Sequence, residues 1–555
     1  MPTVHYNKDV FEHYVGEKLP LDELKDRISF LGTDLESIED NIITVEVFPN
    51  RPDMLSVQGF ARAFSSFIGH APGLKEYKST PSHEKVIVEK AVSSVRPYTS
   101  CAIVKGMKFD DEKIKEVIDI QEKLHITYGR NRKKVAIGIY PFERIKTPIR
   151  FTAMKPKDIV FRPLDFDKEL TAIEILEKHP AGQAYGHLLQ GKTMFPVFLD
   201  ADDKVLSIPP IINSEETGRI TEKTTDIFIE CSGFEYELLS KCLNMILTAL
   251  ADMGGHVYSM QIEYPDKTIT NPEFEPGELS VNLEYINKRL GLEIKEKELK
   301  PLLERMGYGY KNGKVLIPCY RADILHQIDI AEDVAIAHGF ENFEEIIPNV
   351  ATIAQEAPKE VLKRKIAELL VGLGLQECAT YSLTNEEHQS LMMNVSTETI
   401  KLANAVSLDY NVLRSWLLPD LMEILRHNSH YEYPQKLFTF GIAFSKDDTT
   451  DTGVGEKACL ALVSCHEKAD YTEARQIVEY ILESFGLQGL VEEHDHPSFI
   501  PGRSSIMKIN DERVALLGEL SPHVLRNWSL EMPTIGIECS LDALFEHINS
   551  INKNK

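Results

Sequence analysis

A chain of 555 residues, 43% apolar and 26% charged, has the composition of a globular protein and the length for about three to five domains. Its net charge of −25 excludes a protein that coats nucleic acid through its overall field, so any RNA contact has to come from local basic patches. No run nears the roughly 18 apolar residues of a membrane span and no charged-then-apolar leader opens the chain, so a cytoplasmic protein without membrane association is expected.

In the first segment Val45-Glu-Val-Phe48 alternates like a strand and runs into the turn Pro49-Asn-Arg-Pro52. Asp53 is then placed to cap a helix that carries Leu55, Phe60, Phe64 and Ile68 on or near one face. The polar stretch from Lys75 to about Lys85 marks a first boundary. Beyond it, β-rich runs at Val135–Tyr140 and Phe195–Leu199 mix with a helical stretch from Glu235 to Met253, an α+β pattern. The run Gly129-Arg-Asn-Arg-Lys-Lys134 is the best local candidate for an RNA contact, although a solvated turn between helix and strand has the same composition. The cysteines at 101, 231, 242, 319, 378, 459, 465 and 539 are scattered without CxxC pairs, which fits small buried side chains of a reduced compartment.

A second boundary lies between Tyr264 and Glu278, around Pro265, Pro272 and Pro276. The next segment predicts a helix from about Asn282 to Leu290 that stops at Gly291, and a second with Leu299, Leu302, Leu303 and Met306 at core spacing. Pro301 implies that this second helix either starts there or is kinked, because an interior proline costs about 3 kcal/mol. With the turn Lys311-Asn-Gly313 and the strand-like Lys314–Tyr320, the segment suits a helix-turn-helix or winged-helix shape.

Directly after it, Asp323-Ile-Leu-His-Gln-Ile-Asp329-Ile-Ala-Glu332-Asp333 runs from a short loop into a helix. At about 100° per residue, Asp329, Glu332 and Asp333 share an arc of one helix face to which Asp323 can fold back, an oxygen-rich set suited to Mg²⁺. The same residues also spell a capped helix start, with Asp329 and Glu332 as a capping box favoured by the helix dipole. A last boundary, near Pro348 to Pro358, precedes a strongly periodic helix from about Lys359.

Several strings carry a resemblance: Pro49-Asn-Arg-Pro-Asp-Met-Leu-Ser56, Gln121-Glu-Lys-Leu-His125 with Gly129-Arg, Ile208-Pro-Pro-Ile-Ile-Asn-Ser214, Tyr320 to Phe343, Leu413-Arg-Ser, Pro501-Gly-Arg503 and Gly518-Glu-Leu-Ser-Pro-His-Val-Leu525. In this order and spacing the chain resembles the β subunits of phenylalanyl-tRNA synthetase of the archaeal and eukaryotic type. The resemblance implies a multidomain α+β protein: an N-terminal B1-like α/β module over 1–80, a B3/B4-type editing domain over 81–264, a helix-turn-helix-like B5 domain over 270–350, and over 359–555 an antiparallel sheet with helices of the class II synthetase kind, without catalytic activity. It implies an α subunit as partner in an (αβ)₂ heterotetramer, tRNA(Phe) as substrate, ATP and phenylalanine bound through the α subunit, and no DNA. It also implies Mg²⁺ on Asp323, Asp329, Glu332 and Asp333.

A class II active site needs arginines for ATP, yet Leu437-Phe-Thr-Phe-Gly-Ile-Ala-Phe444 and Thr534-Ile-Gly-Ile-Glu-Cys-Ser540 hold none where they are expected. Aminoacylation is therefore expected on the partner, with proofreading of mischarged Tyr-tRNA(Phe) here. An apolar phenylalanine pocket rejects a hydroxylated isostere poorly, which is the reason for a second, hydrolytic site. By position in the family pattern its candidates are Ser207 and Asn213 near the side-chain pocket and Gln121 and Arg132 near the aminoacyl end. Glu215, Glu216 and Thr217 are further polar candidates, and a strand end and a turn would equally suit Ser207 and Asn213. The chain departs from the family where Gly138-Ile-Tyr-Pro-Phe142 replaces a His-Asp pair found after the glycine in many relatives. Two other functions fit parts of the chain: a free-standing aminoacyl-tRNA deacylase, and a non-enzymatic regulator using its helix-turn-helix-like region on DNA. The second is disfavoured by the near balance of Lys, Arg and Glu between Asn282 and Met306.

Overall fold

The computed structural model describes residues 2–553 and divides into two compact units, Met1–Ile347 and Pro348–Lys555. The first unit opens with a small antiparallel sheet in which the strand Ile42–Glu46 lies between Thr3–Asn7 and Asp34–Glu39. Helix Val57–Phe67 closes its core with Phe60, Phe64 and Phe67. Its cap is Ser56, whose Oγ accepts from Gly59 N at 3.0 Å, and not the expected Asp53. A 3-10 turn, Pro52–Met54, intervenes, and both Asp53 oxygens are taken by Arg51 at 2.9 Å. A carboxylate held in a fork by arginine is not free to cap.

The centre of this unit is a ten-stranded sheet. One end of its path is the pair Ile212–Asn213 and Val205–Ile208, and the other is Val135–Pro141. The last strand is buried along its whole length, and helices Asp111–Ile126 and Tyr236–Asp252 both pack against it. Strands that twist in one sense over so many members curl the sheet. Side chains from its two ends meet as a result: the Tyr140 hydroxyl lies 2.8 Å from Ser207 Oγ.

Helix Leu283–Leu290 is capped by Asn282 and ends at Gly291, whose φ of 68° favours glycine. The second helix, Glu296–Arg305, runs through Pro301 instead of starting there. Leu299 and Leu303 lock it into the core, so packing outweighs the lost backbone bond. The hairpin Gly309–Lys311 and Lys314–Ile317, a third strand Gly277–Ser280 and helix Gln327–His338 complete this module. The hairpin strand stops at Ile317 because Pro318 has no N–H to continue the ladder.

In the second unit a seven-stranded sheet is built on the strands Gln435–Lys446, Val454–Cys465, Thr534–Ser540, Glu512–Leu520 and Phe499–Ile509, all antiparallel. Helices Leu418–His427, Tyr471–Ser484 and Leu541–Lys553 pack on it. No helix among the described residues is long and apolar enough to cross a membrane.

Candidate functional site

The curl of the large sheet encloses a cavity of about 310 Å³, lined by Gln121, Arg132, Ser207 and Asn213 together with Glu122, His125 and Glu230. The four sequence-derived candidates thus stand around one space, of a size suited to an aromatic side chain. Helix Asp111–Ile126, capped by Asp110 on Lys113 N, presents three of these residues to the edge strand Val135–Pro141. Gln121 Nε2 donates to Ile137 O at 2.9 Å, and His125 Nε2 accepts from Ile137 N at 2.8 Å. Helix side chains therefore satisfy the backbone of an edge that would otherwise be left open.

His125 is buried, and burial keeps its pKa below the usual value. With Nε2 accepting, the ring proton sits on Nδ1, which faces Glu122 Oε1 at 3.1 Å. Both nitrogens are occupied, so His125 positions the helix and is not free to take a substrate proton. Arg132 follows from an unusual turn in which Arg130, Asn131 and Arg132 have φ of 48°, 53° and 63°. Three successive left-handed residues are strained. The turn swings Arg132 inward onto Glu122 at 2.8 Å and Ile211 O at 2.9 Å, over the Tyr185 ring, with Nε left unpartnered. Arg130 and Lys133 stay exposed, so the basic run divides between cavity and solvent.

Glu230, absent from the sequence-derived set, is the most unusual group in the wall. It is 2% exposed, its Oε1 lies 3.2 Å from the Tyr140 hydroxyl, and its Oε2 has no partner. Burial pushes its pKa up to about 8 against the opposing pull of Arg96, Tyr140 and Ser232. The legible signal was a lone acid inside the apolar run Ile227-Phe-Ile-Glu-Cys231. Glu215, Glu216 and Thr217 lie outside the lining: they bond Arg219, Lys204 and Val205 O, respectively.

The acidic helix start is arranged differently. Arg321 holds Asp323 through Nε–Oδ1 and Nη2–Oδ2 contacts of 2.7 Å each, and its Nη2 also reaches Asp333 Oδ2 at 2.8 Å. The Tyr308 hydroxyl donates to the same Asp333 oxygen. Asp329 Oδ2 accepts from the Leu325 and His326 amides at 2.8 Å, so the observed capping box joins His326 and Asp329, one turn earlier than Asp329 and Glu332. Glu332 points to solvent while Asp333 is buried. No group of three or more Asp, Glu, His or Cys side chains converges for a metal among the described residues. As a set of four these carboxylates do not converge on one ion in this arrangement: Asp323 has both oxygens on Arg321, while one oxygen of Asp329, one of Asp333 and both of Glu332 carry no hydrogen bond.

In the second unit a buried Arg414 bonds Thr380 Oγ1, Ile442 O and Asp420 Oδ2 at 2.7–2.9 Å. A Cβ at Gly441 would strike its guanidinium, so glycine is required there. Glu538 accepts from the Leu417 and Leu418 amides at 2.9 and 3.0 Å, and desolvation pushes its pKa up to about 8.

An editing-type cavity on a curled sheet, a small two-helix module with a β-hairpin and an antiparallel sheet flanked by helices together define a multidomain synthetase-type subunit. Family models match in that order: a B3/4 domain over residues 106–243, a tRNA synthetase B5 domain over 279–340, and the phenylalanyl tRNA synthetase beta chain CLM domain over 344–541. The phenylalanine–tRNA ligase beta subunit of Pyrococcus abyssi is 39% identical over 98% of this chain and 100% of its own length. That of Archaeoglobus fulgidus is 38% identical over 98% and 99%. A crystal structure of an N-terminal fragment of the phenylalanyl-tRNA synthetase beta subunit from Pyrococcus horikoshii has 38% identity and a TM-score of 0.58, covering 61% of this chain and 99% of that one. The chain belongs to the family of phenylalanine–tRNA ligase β subunits.

Proposed function

We propose that this chain supports ATP-dependent charging of tRNA(Phe) by an α subunit, as half of an (αβ)₂ heterotetramer, and hydrolyses mischarged Tyr-tRNA(Phe) in the cavity between Gln121 and Glu230. The observation that carries the proposal is the buried Glu230 in that cavity's wall, whose Oε2 has no hydrogen-bond partner. A tyrosine hydroxyl satisfies this oxygen, whereas phenylalanine leaves it bare and desolvated. A site built to hydrogen-bond a hydroxyl rejects the analogue lacking it strongly.

The cavity offers no free nucleophile, because His125 is engaged at both nitrogens and Ser207 is tied to Tyr140. Water is therefore the attacking group, with Asn213 and Gln121 near its path and Arg132 Nε free to bond the carbonyl oxygen as charge develops there. We assign the domains to residues 1–80, 81–264, 270–350 and 359–555. ATP and phenylalanine belong to the α subunit, a division favoured by the absence of arginine in Leu437–Phe444 and Thr534–Ser540 and by the full engagement of Arg414. The exposed side chains of Tyr381, Leu391, Val406 and Leu408 supply apolar surface for that partner. A Mg²⁺ accompanying ATP would neutralise its phosphates on the α subunit; on this chain Asp329, Glu332 and Asp333 are the carboxylates that keep an oxygen for a cation.

The test is deacylation of Tyr-tRNA(Phe) and Phe-tRNA(Phe) by the chain co-expressed with an α subunit of its family. Release of tyrosine but not phenylalanine, lost in Glu230→Ala, is expected. Equal release of both amino acids would remove the editing role.

A further inference from the structure

Behind the cavity wall, three lining residues converge on one phenol. The Tyr140 hydroxyl lies 2.8 Å from Ser207 Oγ, 3.2 Å from Glu230 Oε1 and 3.4 Å from Asn213 Oδ1, although Tyr140 itself is fully buried and outside the lining. Its ring packs on Phe228, with centroids 5.7 Å apart, and folds over Gly138. A Cβ at Gly138 would strike the Tyr140 hydroxyl and come within 2.6 Å of Glu230 Oε1, so the bare backbone there makes room for the phenol–carboxylate contact.

A carboxylate has two oxygens and accepts only, whereas a phenol has one proton to give. Held at Oε1 by Tyr140, Glu230 keeps a single unpartnered oxygen, Oε2, on a side chain that lines the cavity. Resting on the editing function proposed above, we infer that Tyr140 is a positioning residue for specificity: it occupies one oxygen of Glu230 and leaves the other as the sole receptor for a side-chain hydroxyl of the esterified amino acid. The ionised form of Glu230 is the one that rejects phenylalanine. Burial raises Glu230 to about 8, so its phenol donor bears directly on how much carboxylate is present near neutrality. The other groups that face it are Arg96 from the loop before strand Tyr98–Lys105, Cys101 on that strand, Cys231 and Ser232 on its own strand, and Ser207 through the phenol. Arg96 is anchored on Ser232, with Nε 3.1 Å from its Oγ, and is the only cation among them.

The experiment uses the chain co-expressed with an α subunit and measures release of amino acid from Tyr-tRNA(Phe) and Phe-tRNA(Phe) across pH 6 to 9. Tyr140→Phe removes one oxygen and keeps the ring. Its ratio of tyrosine to phenylalanine release is expected to fall by about 10-fold or more, the scale of a lost hydrogen bond to a charged group, while the acidic limb of tyrosine release moves to higher pH. Charging with phenylalanine stays unchanged. Tyr140→His, which keeps a ring with an N–H donor, is expected to retain more of the ratio than Tyr140→Phe, and it replaces that variant if the phenylalanine does not fold. In a Glu230→Gln background, Tyr140→Phe is expected to add less than about 2-fold, because both changes act through one contact. A Tyr140→Phe ratio and pH profile equal to the wild type, or losses that multiply in the double variant, overturn the inference while the editing role stands. A wild type that releases no tyrosine overturns both.

Discussion

Two buried acidic clusters in the first unit behave in opposite ways. Around Arg321 both oxygens of Asp323 and one of Asp333 meet a guanidinium or a phenol, with Arg321 Nη1 the one buried atom left without a partner, and Arg51 with Asp53 repeats the ion pairing. Around Tyr140, by contrast, Glu230 is as deeply buried but keeps one oxygen without a partner, on a side chain that lines a cavity. Burying a charge is costly unless it is matched, so a matched cluster belongs to the scaffold, while an unmatched one persists where a ligand supplies the missing bond. Acid content alone does not separate the two.

The largest expected effect comes from breaking the matched cluster. Arg321→Met leaves Asp323 and Asp333 buried without their cation and is expected to destabilise the first unit by about 3–5 kcal/mol, read by urea or thermal unfolding. The same change should leave tyrosine release per folded molecule near the wild-type value.

Changing the unmatched cluster inverts that outcome. Glu230→Gln is expected to lower the preference for Tyr-tRNA(Phe) over Phe-tRNA(Phe) by about 10-fold to 100-fold in deacylation assays. Its stability effect has a defined sign. Glu230 has a folded pKa of about 8, above the ordinary carboxylate value, so the folded chain binds more protons than the unfolded one between the two values. Its favourable contribution is complete below about pH 4.5 and is lost as pH rises toward 8. Thermal melting of the wild type should therefore weaken over that window, and Glu230→Gln should flatten the slope.

Smaller effects refine the contrast. Asn213→Ala is expected to reduce tyrosine release several-fold, the scale of a lost neutral hydrogen bond, with charging near normal. Unchanged release would take Asn213 out of the site. Smallest of all, Mg²⁺ or EDTA should move the melting temperature of the isolated chain by less than about 1 °C, because Arg321 already bonds Asp323 and Asp333 and no group of three or more acidic side chains converges on one point among the described residues. A shift of several degrees would instead indicate an ion bound by this chain.

Much of the local structure was legible. Helix Leu283–Leu290 follows from Asn282 and Gly291, and the strand Phe195–Leu199 from its apolar run, because caps and short-range periodicity act within a few residues. Gln121, Arg132, Ser207 and Asn213 were nameable only through family strings, since their types are common in turns and on helices. Legibility failed where competition decides. Asp53 has the right place for a cap, but Arg51 takes its carboxylate; Pro301 marks a break, but Leu299 and Leu303 hold the helix through it. Asp329 with Glu332 spells one capping box, and the helix starts a turn earlier with His326 and Asp329.

The sequence by itself determined the order of modules, the family, the lack of ATP-binding arginines in the C-terminal strands and the positions around which a hydrolytic site could form. Only the tertiary structure decided which acids are matched and which one is open. That outcome depends on a ten-stranded sheet, which pairs the strand of Tyr140 directly with that of Glu230 and brings Ser207 to them from its other end. Burial and pairing are properties of the neighbours a side chain acquires on folding, and no local pattern of residues encodes them.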